Sequence, residues 1–167
     1  MPVTELAFFD VDGTLSAPQY PHPDGSMDIG FTTEGWQAYC EQEGENGYAF
    51  CRPLAPVKAF AEELKRAGCR LFVLSSCFHP NEPAAKRRFL REHYPGLFED
   101  CFFVFRDEEK IPLIRKTAAA AGMPLSACML VEDTYATLLK AYEAGIRPVH
   151  IANIIAGNIP GQSGGER

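Results

Sequence analysis

Three stretches of this 167-residue chain end alike: Ala67-Gly68, Ala121-Gly122 and Ala144-Gly145 each close a helical pattern, and each is soon followed by a short apolar run. Glycine just past a helix supplies the left-handed residue that stops it. In the first of these helices, 54–67, Val57, Phe60, Ala61 and Leu64 fall at i, i+3, i+4 and i+7, one apolar face. Apolar runs at 6–9, 71–74, 101–105, 127–131 and 148–151 have the length of buried strands. Between them lie helical patterns at 54–67, 81–94, 111–121 and 134–144, the second opened by Asn81 as cap and Pro83 in its first turn. Strictly alternating strands and helices predict an α/β fold: a parallel sheet with right-handed crossovers and helices on both faces.

The length predicts one domain over 1–167, able to bury about 70% of its unfolded surface. At 46% hydrophobic and 23% charged residues the composition is that of a soluble globular protein. No run approaches a membrane span, and the N-terminus enters a strand with no secretory signal pattern. Six cysteines show no CxxC pair and no metal-ligand spacing, so a reduced, cytoplasmic protein is expected. A net charge of −6 argues against a general nucleic-acid surface. Two segments break the alternation. Residues 16–52 are punctuated by proline and glycine, with one short helix expected at 33–43, capped by Thr32 or Thr33. There Trp36, Tyr39, Tyr48 and Phe50 either pack the segment or line a substrate mouth. Residues 157–167 read as a loose tail.

The chemistry sits at the end of the first strand. Leu6-Ala7-Phe8-Phe9 runs straight into Asp10-Val11-Asp12-Gly13-Thr14-Leu15, and Gly13 can make the turn that lifts the chain off the sheet. Carboxylates at the carboxyl end of a strand stand where open α/β sheets bind ligands. This string resembles the first motif, DxDGT, of the haloacid-dehalogenase-like (HAD) phosphohydrolases. The resemblance implies a Rossmann-like HAD core with strand order 5-4-1-2-3 and makes 16–52 a flap or minimal cap insertion. It also implies that Asp10 is the nucleophile, forming an aspartyl-phosphate. Asp12 is then the general acid/base.

The other family motifs follow by position. Ser75, with Ser76 beside it at the end of the second strand, resembles the hydroxyl that holds a phosphoryl oxygen. Two lysines compete for the third motif. Lys110 opens the helix after the third strand in the common register, and Lys86 occupies the place used in the deoxyribonucleotidase branch. Lys110 is the preferred catalytic lysine, with Lys86 counted among the phosphate-binding residues. Met129-Leu130-Val131-Glu132-Asp133 resembles the acidic fourth motif. Asp10, Asp12, Glu132 and Asp133 are thus the expected magnesium ligands, oxygen-only as that ion prefers. One departure stands at Thr137, where the GDxxxD form has a second Asp.

The expected function is magnesium-dependent hydrolysis of a phosphomonoester, a small phosphorylated metabolite, through phospho-Asp10. A 5′-nucleotidase-type phosphatase is the alternative enzyme. A HAD-like binding protein without turnover is the alternative of another class.

Overall fold

Leu6, Ala7, Phe8 and Phe9 are all fully buried, as a strand covered on both faces must be. In the computed structural model, which describes residues 5–28 and 30–159, they form the central strand β1 (Leu6–Phe9). Three two-residue strands follow, β2 (Ser16–Ala17), β3 (Tyr20–Pro21) and β4 (Met27–Asp28), then helix α1 (Thr33–Glu43) and strand β5 (Arg52–Pro53). The rest alternates: α2 (Ala55–Arg66), β6 (Arg70–Ser76), α3 (Glu82–His93), β7 (Asp100–Val104), α4 (Lys110–Ala120), β8 (Cys128–Glu132), α5 (Tyr135–Glu143), β9 (Arg147–His150) and α6 (Ile151–Ala156). Of the expected C-terminal tail, residues 160–167 lie outside the described residues.

The main sheet runs β7-β6-β1-β8-β9 with every neighbouring pair parallel. Numbered along the chain, its five strands have the expected order 5-4-1-2-3. Alternate residues face opposite layers. Ala7 and Phe9 of β1, Leu71 and Val73 of β6, and Met129 and Val131 of β8 meet α2, α3 and α6 in one cluster. Leu6 and Phe8, Phe72 and Leu74, and Cys128 and Leu130 meet α4 and α5 in the other. In that second layer Phe8, Phe72 and Phe102 stack across three adjacent strands at 5.2 and 5.7 Å between centroids. Each such ring contributes about 1.5–3 kcal/mol by burial.

The three Ala-Gly helix ends behave as read: Gly68, Gly122 and Gly145 have φ of 92°, 65° and 84°. Thr32 caps α1, its side chain accepting from the Gly35 N–H at 3.1 Å. Two expectations fail. Asn81 holds the N-cap position of α3, but its backbone is already helical and its side chain makes no capping bond; its amide instead donates to the Cys40 carbonyl at 3.1 Å. Ile151 is not the end of the fifth strand but the start of α6. His150 halts the strand by accepting the Ala152 N–H on Nδ1 at 2.9 Å, and six residues are too few to show a helical period.

Between β2 and β5 the chain returns to its starting point, with Ala17 opposite Arg52 in an antiparallel pair. The intervening residues build a small hairpin, β3–β4, and an aromatic cluster. Tyr20 lies 5.1 Å from Trp36, 5.6 Å from Tyr39 and 5.9 Å from both Phe31 and Tyr48, ring to ring. Tyr20, Tyr39 and Tyr48 are buried, and Phe50 is half exposed. Helix α1 is fastened to the loop after β6. Gln37 donates to the Phe78 carbonyl at 2.7 Å, and Glu41 lies 3.1 Å from His79. None of the six cysteines is disulfide-linked, and five are buried. No helix among the described residues is long and apolar enough to cross a membrane.

Candidate active site

The turn after β1 is built by its own backbone. Asp10 still donates its N–H to the Val131 carbonyl at 3.0 Å, keeping it in line with the sheet. Gly13 then takes φ of 71°, and its N–H closes on the Ser16 carbonyl at 2.9 Å. A Cβ at Gly13 would stand 2.2 Å from Asp133 Oδ2, so only glycine lets the β8 acid approach this turn. The parallel strands β1, β6 and β8 therefore end together, and their terminal side chains surround a cavity of about 220 Å³.

Asp10, buried on its wall, is paired with Lys110, whose Nζ lies 3.2 Å from Asp10 Oδ1 and 2.8 Å from Glu132 Oε2. Burial pushes the Asp10 carboxyl up to about 7; Lys110 opposes this, and the Glu132 and Asp12 charges reinforce it. Burial likewise raises Glu132, against Lys110. Burial favours neutral Lys110, but the Asp10 and Glu132 carboxylates outweigh it and keep the ammonium charged. Asp10, Glu132 and Asp133 bring one oxygen each within 4.8 Å of one another, the one such group among the described residues. Three crowded carboxylates form a hard, oxygen-only donor set, which suits magnesium. His150 supports the cluster from behind. Because its Nδ1 accepts from Ala152, its Nε2 carries the proton and donates to the Asp133 carbonyl at 3.0 Å.

Asp12 is placed differently from its expected role as a metal ligand. Its carboxylate turns from the cluster: Oδ2 meets Lys86 Nζ at 2.8 Å, and Oδ1 accepts from the Tyr48 hydroxyl at 2.5 Å. Lys86 is not a solvated helix charge or a cavity residue. It is fully buried, and its ammonium also donates to Ser75 Oγ at 2.9 Å and the Ser76 carbonyl at 2.7 Å, and reaches Glu82 at 3.2 Å. The acids raise its pKa despite burial. Ser75 likewise departs from its expected role of holding a phosphoryl oxygen. Neighbouring strand residues point to opposite faces, so Ser75 lies under Lys86 while Ser76 faces the cavity, its hydroxyl bonded to Asp107. The structure thus brings Asp10, Asp12, Ser76, Lys110, Glu132 and Asp133 to one cavity and sets Ser75 and Lys86 behind it.

Apart from Tyr48, which the sequence offers as packing the segment or lining a substrate mouth, the residues that complete this neighbourhood gave no signal as site residues. Tyr48 and Tyr20 reach Asp12 from the insertion, Tyr20 at 3.5 Å. Asp107 joins the wall beside Ser76. Glu82, 2% exposed, accepts from the Trp36 indole at 2.6 Å and the Phe78 N–H at 2.7 Å. Of the rest, only Glu82 had a usable clue, its i,i+4 spacing from Lys86.

No protein-family model and no curated protein matches the sequence. Solved structures do match in fold. A phosphoserine phosphatase captured as a phospho-aspartyl intermediate analogue aligns at 14% identity and TM-score 0.58, over 94% of this chain and all of that one. A HAD family enzyme from Bacteroides thetaiotaomicron, a mutant in complex with magnesium and inorganic phosphate, aligns at 13% identity and TM-score 0.54, over 89% and 94%. An uncharacterized protein from Listeria monocytogenes aligns at 14% identity and TM-score 0.60, over 87% and 77%. At such identities the likeness is one of fold. The chain shares the α/β fold of these structures.

Proposed function

We propose that the chain is a magnesium-dependent phosphomonoester hydrolase acting through Asp10. The observation that carries this reading is the Asp10–Lys110 pair, buried on the wall of a polar cavity with Asp12 two residues further along the same turn. In the first step an Asp10 carboxylate oxygen attacks phosphorus, the P–O bond to the leaving group breaks, and Asp12 delivers a proton to the departing oxygen. In the second, Asp12 takes a proton from water as its oxygen attacks phosphorus. The bond from phosphorus to Asp10 breaks, and inorganic phosphate leaves. Lys110 favours the ionised form of Asp10 against the burial that disfavours it, and offers positive charge to the phosphoryl oxygens. The Ser76 hydroxyl, which donates to Asp107 in this structure, would turn from that carboxylate to donate to the same oxygens.

Asp10, Glu132 and Asp133 would hold the magnesium, which when bound neutralises phosphate charge. Thr137, on the cavity wall where a further acid is usual, leaves that set to three carboxylates. The substrate is a small phosphorylated metabolite, and cysteines without disulfides suit a cytoplasmic setting. A nucleotidase is the second reading, favoured by Lys86 buried beside Asp12.

The test is release of phosphate from an aryl phosphate with and without magnesium, in wild type and Asp10→Asn. The variant should fold normally and lose turnover by about a thousandfold or more. Turnover within tenfold of wild type would refute the covalent route, and no magnesium-dependent turnover in wild type would favour a binding protein.

A further inference from the structure

Asp12, Gly13, Phe78 and Asp133 border a second cavity of about 360 Å³, on the insertion side of the turn after β1. It shares Asp12, Phe78 and Asp133 with the phosphate-sized cavity, so a group leaving from a phosphorus beside Asp10 passes Asp12 into it. Its remaining walls are largely apolar: Pro18, Tyr20, Phe31 and Trp36 from the insertion. Phe78 stands at the junction with 61% of its surface exposed, though Glu82 and Gln37 fix its backbone on both sides. With Pro18, Tyr20, Phe31 and Trp36 on the same cavity it forms one apolar surface of the kind that lines ligand-binding grooves.

The charges on these walls say what the contact is. Among the described residues no Lys, Arg or His lines this cavity, and its three acids are Asp12, Glu82 and Asp133. A carboxylate or second phosphate on the leaving group would be desolvated against like charge with no cation to meet it. A cationic leaving group fares little better, because Glu82 and Asp12 already have their partners and Asp133 belongs to the proposed metal set with Asp10 and Glu132. Glu82 spends Oε1 on Trp36 and the Phe78 N–H and Oε2 on Lys86, and Asp12 spends its oxygens on Tyr48 and Lys86. What stays available is aromatic and apolar surface.

Resting on the hydrolase reading, we infer that this cavity is the leaving-group subsite and that it selects phosphomonoesters of uncharged, ring-bearing alcohols. The ring lies against Phe78 and Trp36 while the bridging oxygen stays beside Asp12. Phenols and nucleosides share this chemistry.

Trp36 is the single tryptophan of the chain, which makes the subsite its own reporter. The experiment titrates the magnesium-loaded full chain with methylphosphonate, phenylphosphonate and phosphonoacetate, none of which can be hydrolysed, and follows tryptophan emission and heat of binding. Phenylphosphonate should bind about tenfold or more tighter than methylphosphonate and change the Trp36 emission, as an aromatic contact with burial predicts. Phosphonoacetate should bind no tighter than methylphosphonate. Phe78→Ala should bring the phenyl-to-methyl ratio down towards one. Turnover then separates the sources. Phenyl phosphate ahead of thymidine 5′-monophosphate points to aryl alcohols, and the reverse order to nucleosides. Preference for phosphoglycolate or phosphocholine, a ratio unmoved by Phe78→Ala, or failure of all three phosphonates to bind overturns the inference. Selective phenylphosphonate binding without turnover of any phosphomonoester supports the subsite and refutes the hydrolase reading instead.

Discussion

Lys86 Nζ sits 2.8 Å from Asp12 Oδ2, so the two acids of the first turn each have a lysine of their own: Lys86 for Asp12, Lys110 for Asp10. The two lysines that compete for one role in sequence occupy two places in space. Removing Lys86 leaves Glu82 as an uncompensated buried charge and frees Asp12 from its anchor. Lys86→Ala should therefore destabilise the fold by about 3 kcal/mol or more. Chemical denaturation checks this; an unchanged midpoint would mean that the buried ammonium is dispensable.

Lys110→Ala acts on the reacting side. The substitution takes the counter-charge from Asp10 and the hydrogen bond from Glu132 together. Turnover should fall by about a hundredfold or more. Steady-state kinetics beside Lys86→Ala, compared under conditions where both variants are folded, separates loss of chemistry from loss of structure.

Tyr48→Phe deletes one hydroxyl, the 2.5 Å donor to Asp12 Oδ1, while keeping the ring that packs on Tyr20 and Phe89. A hydrogen bond to a charged group contributes about 1.5–3 kcal/mol, so kcat should drop by about tenfold or more. The midpoint of unfolding should move less than in Lys86→Ala. A kcat equal to wild type would show that Asp12 needs no orientation from the insertion.

Gly13→Ala places a methyl group where Asp133 Oδ2 now lies, at a residue with φ of 71°. The backbone conformation alone costs about 1 kcal/mol or more. Asp133 must also retreat from the cluster, so a magnesium titration should show affinity reduced by about tenfold or more. Equal affinity in the two proteins would remove Asp133 from the ligand set.

The raised carboxyl of Asp10 gives a dependence on pH with a definite sign. Burial lifts it from an ordinary value near 4 to about 7, so between those values the metal-free folded state holds a proton that the unfolded chain has lost. In that window this group's contribution to stability falls as pH rises, and Glu132, raised for the same reason, acts in the same direction. Magnesium needs both carboxylates ionised and competes with those protons. The increase in Tm on adding saturating magnesium should therefore be larger at about pH 8 than at about pH 5.5. Equal increments at the two values would count against Asp10 and Glu132 as ligands.

What the sequence reveals of this site is what lies at strand and helix ends. Asp10, Lys110, Glu132 and Asp133 each sit at the boundary of an element whose pattern is plain, and parallel strands deliver such ends to one edge. Tyr48 on Asp12 and Ser76 on Asp107 join residues 36 and 31 apart, through an insertion and a loop without periodicity. No local pattern encodes such contacts. Ser75 against Ser76 is decided by which face of β6 each occupies, and a one-residue step changes the face. Lys86 was legible as a candidate phosphate-binding lysine but not as the buried partner of Asp12, because its acids come from another element as well as its own.

The pairing of Ala17 with Arg52 has a consequence for how such a chain can diversify. Because the insertion leaves and rejoins the core at adjacent points, its length is nearly uncoupled from the sheet. Doubling a flexible connection costs only about 0.6 kcal/mol in closure entropy. As far as chain closure goes, the segment is an exchangeable cassette whose walls can vary above the carboxylates. Its ties to the core limit the exchange, Gln37 to Phe78 and Trp36 to Glu82 among them, and one touches the chemistry directly. Tyr48 travels with the cassette yet holds Asp12, so a replacement that carries a new wall but no equivalent hydroxyl inherits a different pocket and a slower acid.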